Sequence, residues 1–256
     1  MRVLVVENDR VTVLGQVETA LREAGAEIVL CRPHAGEALP EGEVGHDALV
    51  VMGGPQSAID DEKHPYLPDL AALMRQYGDA GKSVLGVCLG SQLLARGYGA
   101  TNLIGVAAEF GWCDIHPTDE GLTDPLLASV GGTFPIFQWH SDTFTLPAGA
   151  THLAHNAIAA NQAFRLGRAA YGTQFHFEVD RSVAKHWRDV FPDQIERTSP
   201  GWLERHDELA AAHGPDADAA GLAIARAWVA TIEAGMAVAG DEAAVTGSTG
   251  GPPPDP

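Results

Sequence analysis

Residues 83–95, S-V-L-G-V-C-L-G-S-Q-L-L-A, constrain this chain more than any other stretch. Val84, Leu85 and Val87 make an apolar, β-branched run of strand length, whereas Gln92, Leu93 and Leu94 continue in a helix-like pattern. A strand therefore turns sharply into a helix at Cys88. Gly86 and Gly90 flank the cysteine at the spacing of a nucleophile elbow, where missing side chains let strand and helix approach and leave the central residue strained. A thiol there touches the first turn of a helix, whose unpaired N–H groups and positive dipole end favour the reactive thiolate. The motif is short, and a buried, inert core cysteine satisfies it equally well.

The elbow belongs to a longer alternation. Residues 2–7 read as a buried strand, and Val11, Leu14, Val17, Leu21 and Ala24 then recur at helical spacing until Gly25. Residues 28–30 form a second strand, and residues 47–52 a third that closes on Gly53-Gly54-Pro55. Residues 65–77 carry a helical stripe of Leu67, Leu70, Leu73 and Met74 before the strand at Ser83. Strands alternating with helices predict an α/β fold, a doubly wound and mostly parallel sheet with flanking helices. Ligands bind such sheets outside the carboxyl ends of the strands, where both Gly53-Gly54 and Cys88 fall. Two other patterns fail here. A phosphorelay receiver needs an Asp at the end of the third strand, which holds Val51, Met52 and Gly53. A P-loop ending at Gly81-Lys82-Ser83 needs a glycine at Gln76 and a strand-to-helix order, and this segment runs from helix to strand.

After Gly99 the chain turns to short strands and hairpins around residues 109–112, 134–139, 152–154, 163–166 and 171–175. From Arg181 it is helical again, with Leu222, Ala225, Val229 and Ile232 on one face and Gly235 as the expected stop. The organisation expected is a domain over residues 1–180, a C-terminal helical extension packed on it over 181–236, and a Gly/Pro-rich disordered tail over 237–256.

Charge narrows the choice of partners. With 34 acidic against 16 basic residues and a formal charge of −18, the chain lacks the Lys/Arg clusters that bind nucleic acid or an anionic membrane. Three widely spaced cysteines, Cys31, Cys88 and Cys113, fit a reducing compartment and offer no disulfide framework or paired metal-ligand motif. The opening M-R-V-L-V-V-E-N has no extended apolar leader region, and no apolar run approaches the ~20 residues of a membrane span, so a cytoplasmic protein is expected. The 11 histidines show no compact ligand spacing; His34, His116, Cys31 and Cys113 read as core or surface residues, and neither a metal nor an organic cofactor is expected.

A second signal lies at residues 173–180, T-Q-F-H-F-E-V-D. Strand alternation would put Phe175, Phe177 and Val179 on one face and His176 and Glu178 on the other, about 6.5–7 Å apart at the backbone. A glutamate at that distance can bond the inner nitrogen of the imidazole. A thiol nucleophile needs such an imidazole to take and return a proton, and a carboxylate to fix its tautomer. Taken alone, H-x-E also describes a half-exposed strand whose polar face holds these two residues.

Four segments together, G-G-P-Q-S (53–57), G-V-C-L-G-S-Q (86–92), W-H-S-D (139–142) and Q-F-H-F-E-V (174–179), resemble the class I, triad-type glutamine amidotransferases, most closely the amidotransferase domain of GMP synthase and its free-standing relatives. The resemblance covers about residues 1–180 and implies the flavodoxin-like fold of that family. It implies Cys88 as nucleophile, His176 as general base and acid, and Glu178 as the residue that orients it. The backbone N–H groups of Gly54, beside Gly53, and of Leu89 would form the oxyanion hole. Gln92 would contact the amino-acid end of glutamine, framed by the loop His140-Ser141-Asp142, although the family commonly has glycine where this chain has Ser141. The substrate implied is glutamine or a γ-glutamyl compound. The ATP-pyrophosphatase half of a GMP synthase is not recognisable in residues 181–256, so an ammonia-accepting synthetase would be a separate chain. A γ-glutamyl peptide or amide hydrolase with the same triad, and a non-catalytic binding or regulatory protein with the same fold, are the alternative readings.

Overall fold

The computed structural model describes residues 1–247, with side chains described to residue 237. In chain order the elements are β1 (Arg2–Val6), α1 (Gly15–Glu23), β2 (Glu27–Cys31), β3 (Ala48–Val51), α2 (Leu67–Asp79), β4 (Ser83–Val87) and α3 (Leu89–Gly97). There follow β5 (Asn102–Leu103), β6 (Glu109–Pro117), α4 (Asp119–Thr123), β7 (Phe134–His140), β8 (Thr143–Phe144), β9 (Thr151–His155), β10 (Ala163–Leu166) and β11 (Ala170–Thr173). Three helices close the described chain: α5 (Arg181–Val190), α6 (Pro192–Thr198) and α7 (Trp202–Gly247).

Nine strands form one sheet in the order β2-β1-β3-β4-β11-β10-β9-β6-β7, and β5 pairs with β8 apart from it. The pairs from β2 across to β11 are parallel, and those from β11 to β7 are antiparallel. The parallel strands are apolar throughout because both of their faces are covered. Val3 and Val5 of β1 pack with Val17 and Leu21 of α1 and with Ile224 and Trp228 of α7. Leu4 and Val6 point the other way, into Leu70, Leu73 and Met74 of α2 and Leu93 and Leu94 of α3. The mostly parallel sheet with flanking helices agrees with the sequence reading.

Three local expectations need correction. The first helix starts at Gly15 rather than Val11, because the Asp9 carboxylate accepts the Val11 N–H at 3.0 Å and the Asp9 carbonyl accepts that of Thr12, a turn that competes with helix. The strand expected through residues 173–180 ends at Thr173. Thr173 pairs with Val87, the last residue of β4, and beyond it the neighbouring chain has turned into the elbow and offers no ladder. His176 is left on an isolated antiparallel bridge to Phe137, and Glu178 lies in the turn that follows. Finally, Gly235 does not stop the last helix, which continues to Gly247, so residues 237–247 of the expected tail are helical. A side chain at Gly235 would run into the Arg168 guanidinium, so close packing rather than termination calls for glycine there. Residues 248–256 of that tail lie outside the described residues.

Candidate active site

The elbow is built by the meeting of β4 and α3. Cys88 has φ 51° and ψ −107°, and it alone among the described non-glycine residues has a positive φ. That conformation is strained for a residue with a Cβ and persists because the surroundings fix it. The Cys88 N–H donates to the Thr173 carbonyl at 2.8 Å, and the first turn of α3 closes on the Cys88 carbonyl. A Cβ on Gly86 would collide with the Gly90 carbonyl, and one on Gly90 with the Val51 carbonyl. The flanking glycines thus let strand, helix and the neighbouring strand touch backbone to backbone. Cys88 is 7% exposed, with Sγ 3.8 Å from the Trp139 carbonyl oxygen.

His176 and Glu178 come together without a shared strand face. His176 Nδ1 lies 2.7 Å from Glu178 Oε1, and both side chains are buried. The His176 N–H donates to the Phe137 carbonyl at 2.9 Å, which anchors the imidazole to β7. The turn behind Glu178 is clamped from two sides. Gln16, in the first turn of α1, donates its backbone N–H to the Glu178 carbonyl at 2.9 Å and its side-chain amide to the Phe177 carbonyl at 3.1 Å. On α7, Gly221 packs so tightly on the Phe177 carbonyl and the Gln16 amide that a Cβ would overlap both. His176 Nε2 is buried and has no hydrogen-bond partner among the described residues. Burial opposes a charge on the ring, but the Glu178 carboxylate and the Cys88 thiol, by charge and hydrogen bonding, outweigh it and hold the His176 pKa well above the ordinary 6.5.

The Gly53-Gly54 loop completes the surroundings of the thiol. A Cβ placed on Gly53 would stand 3.2 Å from His176 Cε1 and 3.5 Å from Cys88 Cβ, so this glycine occupies the gap between them. Gly54 packs against Leu89, where its Cβ would meet Leu89 Cδ2 at 3.3 Å. Leu89 opens α3, and its N–H is one of the helix's orphan donors. Asn8, fully buried at the end of β1, fixes the loop by donating to the Met52 carbonyl at 2.7 Å and accepting from Gln56 Nε2 through its own carbonyl at 2.6 Å.

The residues expected to hold the amino-acid end of glutamine form a buried hydrogen-bonded chain. Gln92 Nε2 donates to the Asp142 carbonyl at 3.3 Å and to Gln174 Oε1 at 3.2 Å. The His140 ring has both nitrogens occupied, Nδ1 against the Asp142 carbonyl at 3.0 Å and Nε2 against Glu109 Oε2 at 3.1 Å. His140 therefore stands behind the loop and supports it. Ser141 is exposed, and the loop is fastened from outside where Asp142 Oδ1 accepts the Gly105 N–H at 2.8 Å and the Ser141 carbonyl accepts that of Ala107 at 3.0 Å.

The sequence reading missed several of these supports. Glu109 is a buried carboxylate that also accepts from Gln162 Nε2 at 2.7 Å and from Asn156 Nδ2, and Gln138 in turn donates to Gln162 at 3.1 Å. The available signal was polar residues, Gln138 and Gln162, set among apolar strand residues; such groups survive burial only when paired. Trp187 of α5 was missed as well. Its ring meets the His176 ring edge to face at a centroid distance of 5.6 Å, so a helix beyond residue 180 forms one wall of the site.

Comparison with known proteins agrees with this geometry. Residues 6–188 match the sequence model of the glutamine amidotransferase class-I family. The glutamine amidotransferase-like protein YfeJ of Salmonella typhimurium is 38% identical over 159 residues, which cover 61% of this chain and 66% of YfeJ. A GMP synthase (glutamine-hydrolysing) of Rhodopseudomonas palustris is 35% identical over 139 residues, covering 52% of this chain and 24% of that enzyme. The chain thus spans less than two thirds of either curated relative. The crystal structure of a glutamine amidotransferase from Thermotoga maritima superposes with a TM-score of 0.81 at 27% identity, covering 91% of this chain and 98% of that one. The chain belongs to the class I glutamine amidotransferase family.

Proposed function

We propose that this protein is a glutamine amidotransferase-type hydrolase that releases ammonia from the glutamine side chain through a γ-glutamyl thioester on Cys88. The observation that carries the reading is the His176 ring, bonded to Glu178 through Nδ1 and open at Nε2 toward a strained thiol. The same parts exclude a merely regulatory role, since a binding protein has no use for a buried thiol, imidazole and carboxylate held in register.

In this mechanism the Cys88 thiol gives its proton to His176 Nε2, and the sulfur attacks the side-chain amide carbon of glutamine. The carbonyl oxygen takes up the negative charge and is held by the backbone N–H groups of Gly54 and Leu89. His176 returns the proton to the departing nitrogen, the C–N bond breaks, and ammonia leaves a thioester behind. Water, deprotonated by His176, attacks the thioester and releases glutamate, and the proton returns to sulfur. Glu178 orients the imidazole and stabilises its charged form throughout.

Residues 1–180 would supply this chemistry, with 181–236 as a helical extension. The ammonia acceptor would be a synthetase on another chain, because the GMP synthase that this chain resembles extends well beyond the matched portion. A cytoplasmic setting fits the three free cysteines. A γ-glutamyl hydrolase is the second reading. In its favour, Trp139, Trp187 and Phe191 lie edge to face beside the thiol, an apolar wall suited to the leaving group of a γ-glutamyl peptide or amide.

The deciding experiment is steady-state hydrolysis by the purified chain of glutamine beside a panel of γ-glutamyl peptides and amides, following ammonia and glutamate. Weak glutaminase activity that rises with a partner fraction supports the amidotransferase. High efficiency on one γ-glutamyl compound with poor use of glutamine favours the hydrolase. No turnover of any of them overturns both.

A further inference from the structure

Gln174 sits between the end of β11 and His176, and nothing in its side chain is exposed. A buried amide left unpaired costs roughly 1–3 kcal/mol, so an apolar residue would serve the core better unless the amide has work to do. Here it has specific partners. Its backbone N–H donates to the Gln162 carbonyl at 2.8 Å, which fixes where the side chain starts. Its Oε1 accepts from Gln92 Nε2 at 3.2 Å, and its Nε2 points at Cys88 Sγ from 3.6 Å. The amide therefore bridges the residue expected to touch the substrate and the atom expected to attack it.

The direction of the second bond matters. A neutral thiol is a weak acceptor, whereas hydrogen bonds to an ionised acceptor are about twice as strong as neutral ones. An N–H aimed at sulfur gains strength as the thiolate forms, and such differential interactions are the ones that lower a barrier. The bridge also holds the sulfur in direction. Gln92 is tied at its other side to the Asp142 carbonyl at 3.3 Å, so displacement of the substrate loop would be felt at sulfur through two hydrogen bonds.

We propose that Gln174 is a positioning residue that donates to the Cys88 sulfur, favours its ionised form and couples it to Gln92. This rests on Cys88 being the nucleophile. The titratable groups facing the thiol are His176 and, through it, Glu178.

The test is the pH dependence of Cys88 alkylation by iodoacetamide on the full chain, with the modified residue identified by peptide mass. Gln174→Met, close in shape but without the donor, should move the pH of half-maximal alkylation upward by roughly half a unit to one unit. Gln174→Glu keeps an acceptor for Gln92 but sets oxygen against sulfur, and should move it further. Glutaminase kcat/KM should fall about tenfold in Gln174→Met, and adding Gln92→Met should cost less than it does alone, because the two side chains act as one unit. Circular dichroism and thermal melting identify which variants fold. An unchanged alkylation profile in either folded variant overturns the proposal, and failure of both to fold would make Gln174 a packing residue and overturn it too. Wild-type protein that keeps full glutaminase activity after complete alkylation of Cys88 would instead refute the nucleophile.

Discussion

His176 Nδ1 and Glu178 Oε1 lie 2.7 Å apart in the interior, while the far atoms of the pair, His176 Nε2 and Glu178 Oε2, have no hydrogen-bond partner among the described residues. Burial disfavours the imidazolium, and the acidic neighbours more than offset this, so the folded pKa of His176 stands well above 6.5. A raised folded pKa contributes stability that is fully present below the unfolded value, near pH 6.5, and is lost as the pH climbs through the folded value. Glu178→Gln should therefore lower the Tm most at and below about pH 6.5 and progressively less above it. Melting curves of both proteins across that range check this. A deficit that grows as the pH rises would contradict the ion pair.

Strain at Cys88 has a measurable consequence. Glycine adopts a positive φ at no steric cost, whereas alanine retains the Cβ that makes φ 51° unfavourable. Cys88→Gly should unfold at higher denaturant than Cys88→Ala, by about 1 kcal/mol, with both inactive. Equal stabilities would mean that the elbow carries no strain.

The long helix α7 should matter to turnover although it carries no residue of the triad. Gly221→Val would push against the Phe177 carbonyl and Gln16, both of which hold the turn bearing Glu178. Overpacking of this kind costs roughly 1–3 kcal/mol. A loss of Tm together with a fall in kcat is expected, and an unchanged kcat would detach the C-terminal helices from the site.

Much of this arrangement was written into local pattern. The apolar run Leu4–Val6 and the glycines around Cys88 dictate a doubly buried strand and a tight elbow, because hydrophobic periodicity and missing Cβ atoms act within a few residues. His176 and Glu178 were legible as a pair, but through a strand that ends at Thr173: where a strand stops depends on its neighbour's path, and β4 has already turned away at Cys88. Gly235 misled for a related reason, since contact with Arg168 from a distant loop, rather than helix termination, demands the glycine. The Glu109 network was illegible because its members, Gln138, His140, Asn156 and Gln162, come from separate strands and loops and meet only in the folded protein.

That network supports a prediction about substrate affinity. Glu109 accepts from His140, Asn156 and Gln162, and His140 props the Asp142 carbonyl to which Gln92 is bonded. Glu109→Gln replaces an acceptor with an amide that sets some of its own N–H groups against those donors, at a cost of roughly 2 kcal/mol in stability. Steady-state kinetics should show the KM for glutamine raised several-fold with a smaller change in kcat. A fall confined to kcat would place Glu109 in the chemical step rather than behind the substrate loop.

The claim on which the rest depends is that Cys88 forms the covalent bond to the glutamyl group, and a glutamine-like diazoketone tests it most directly. Intact-protein mass should rise by one equivalent of the reagent as glutaminase activity disappears, peptide mapping should place the adduct on Cys88, and His176→Ala should slow the labelling sharply. Cys31 and Cys113, whose thiol pKa values burial pushes up, to about 12 for Cys113, should stay unmodified. An adduct on Cys31 or Cys113, or full activity in protein labelled at Cys88, would contradict the account.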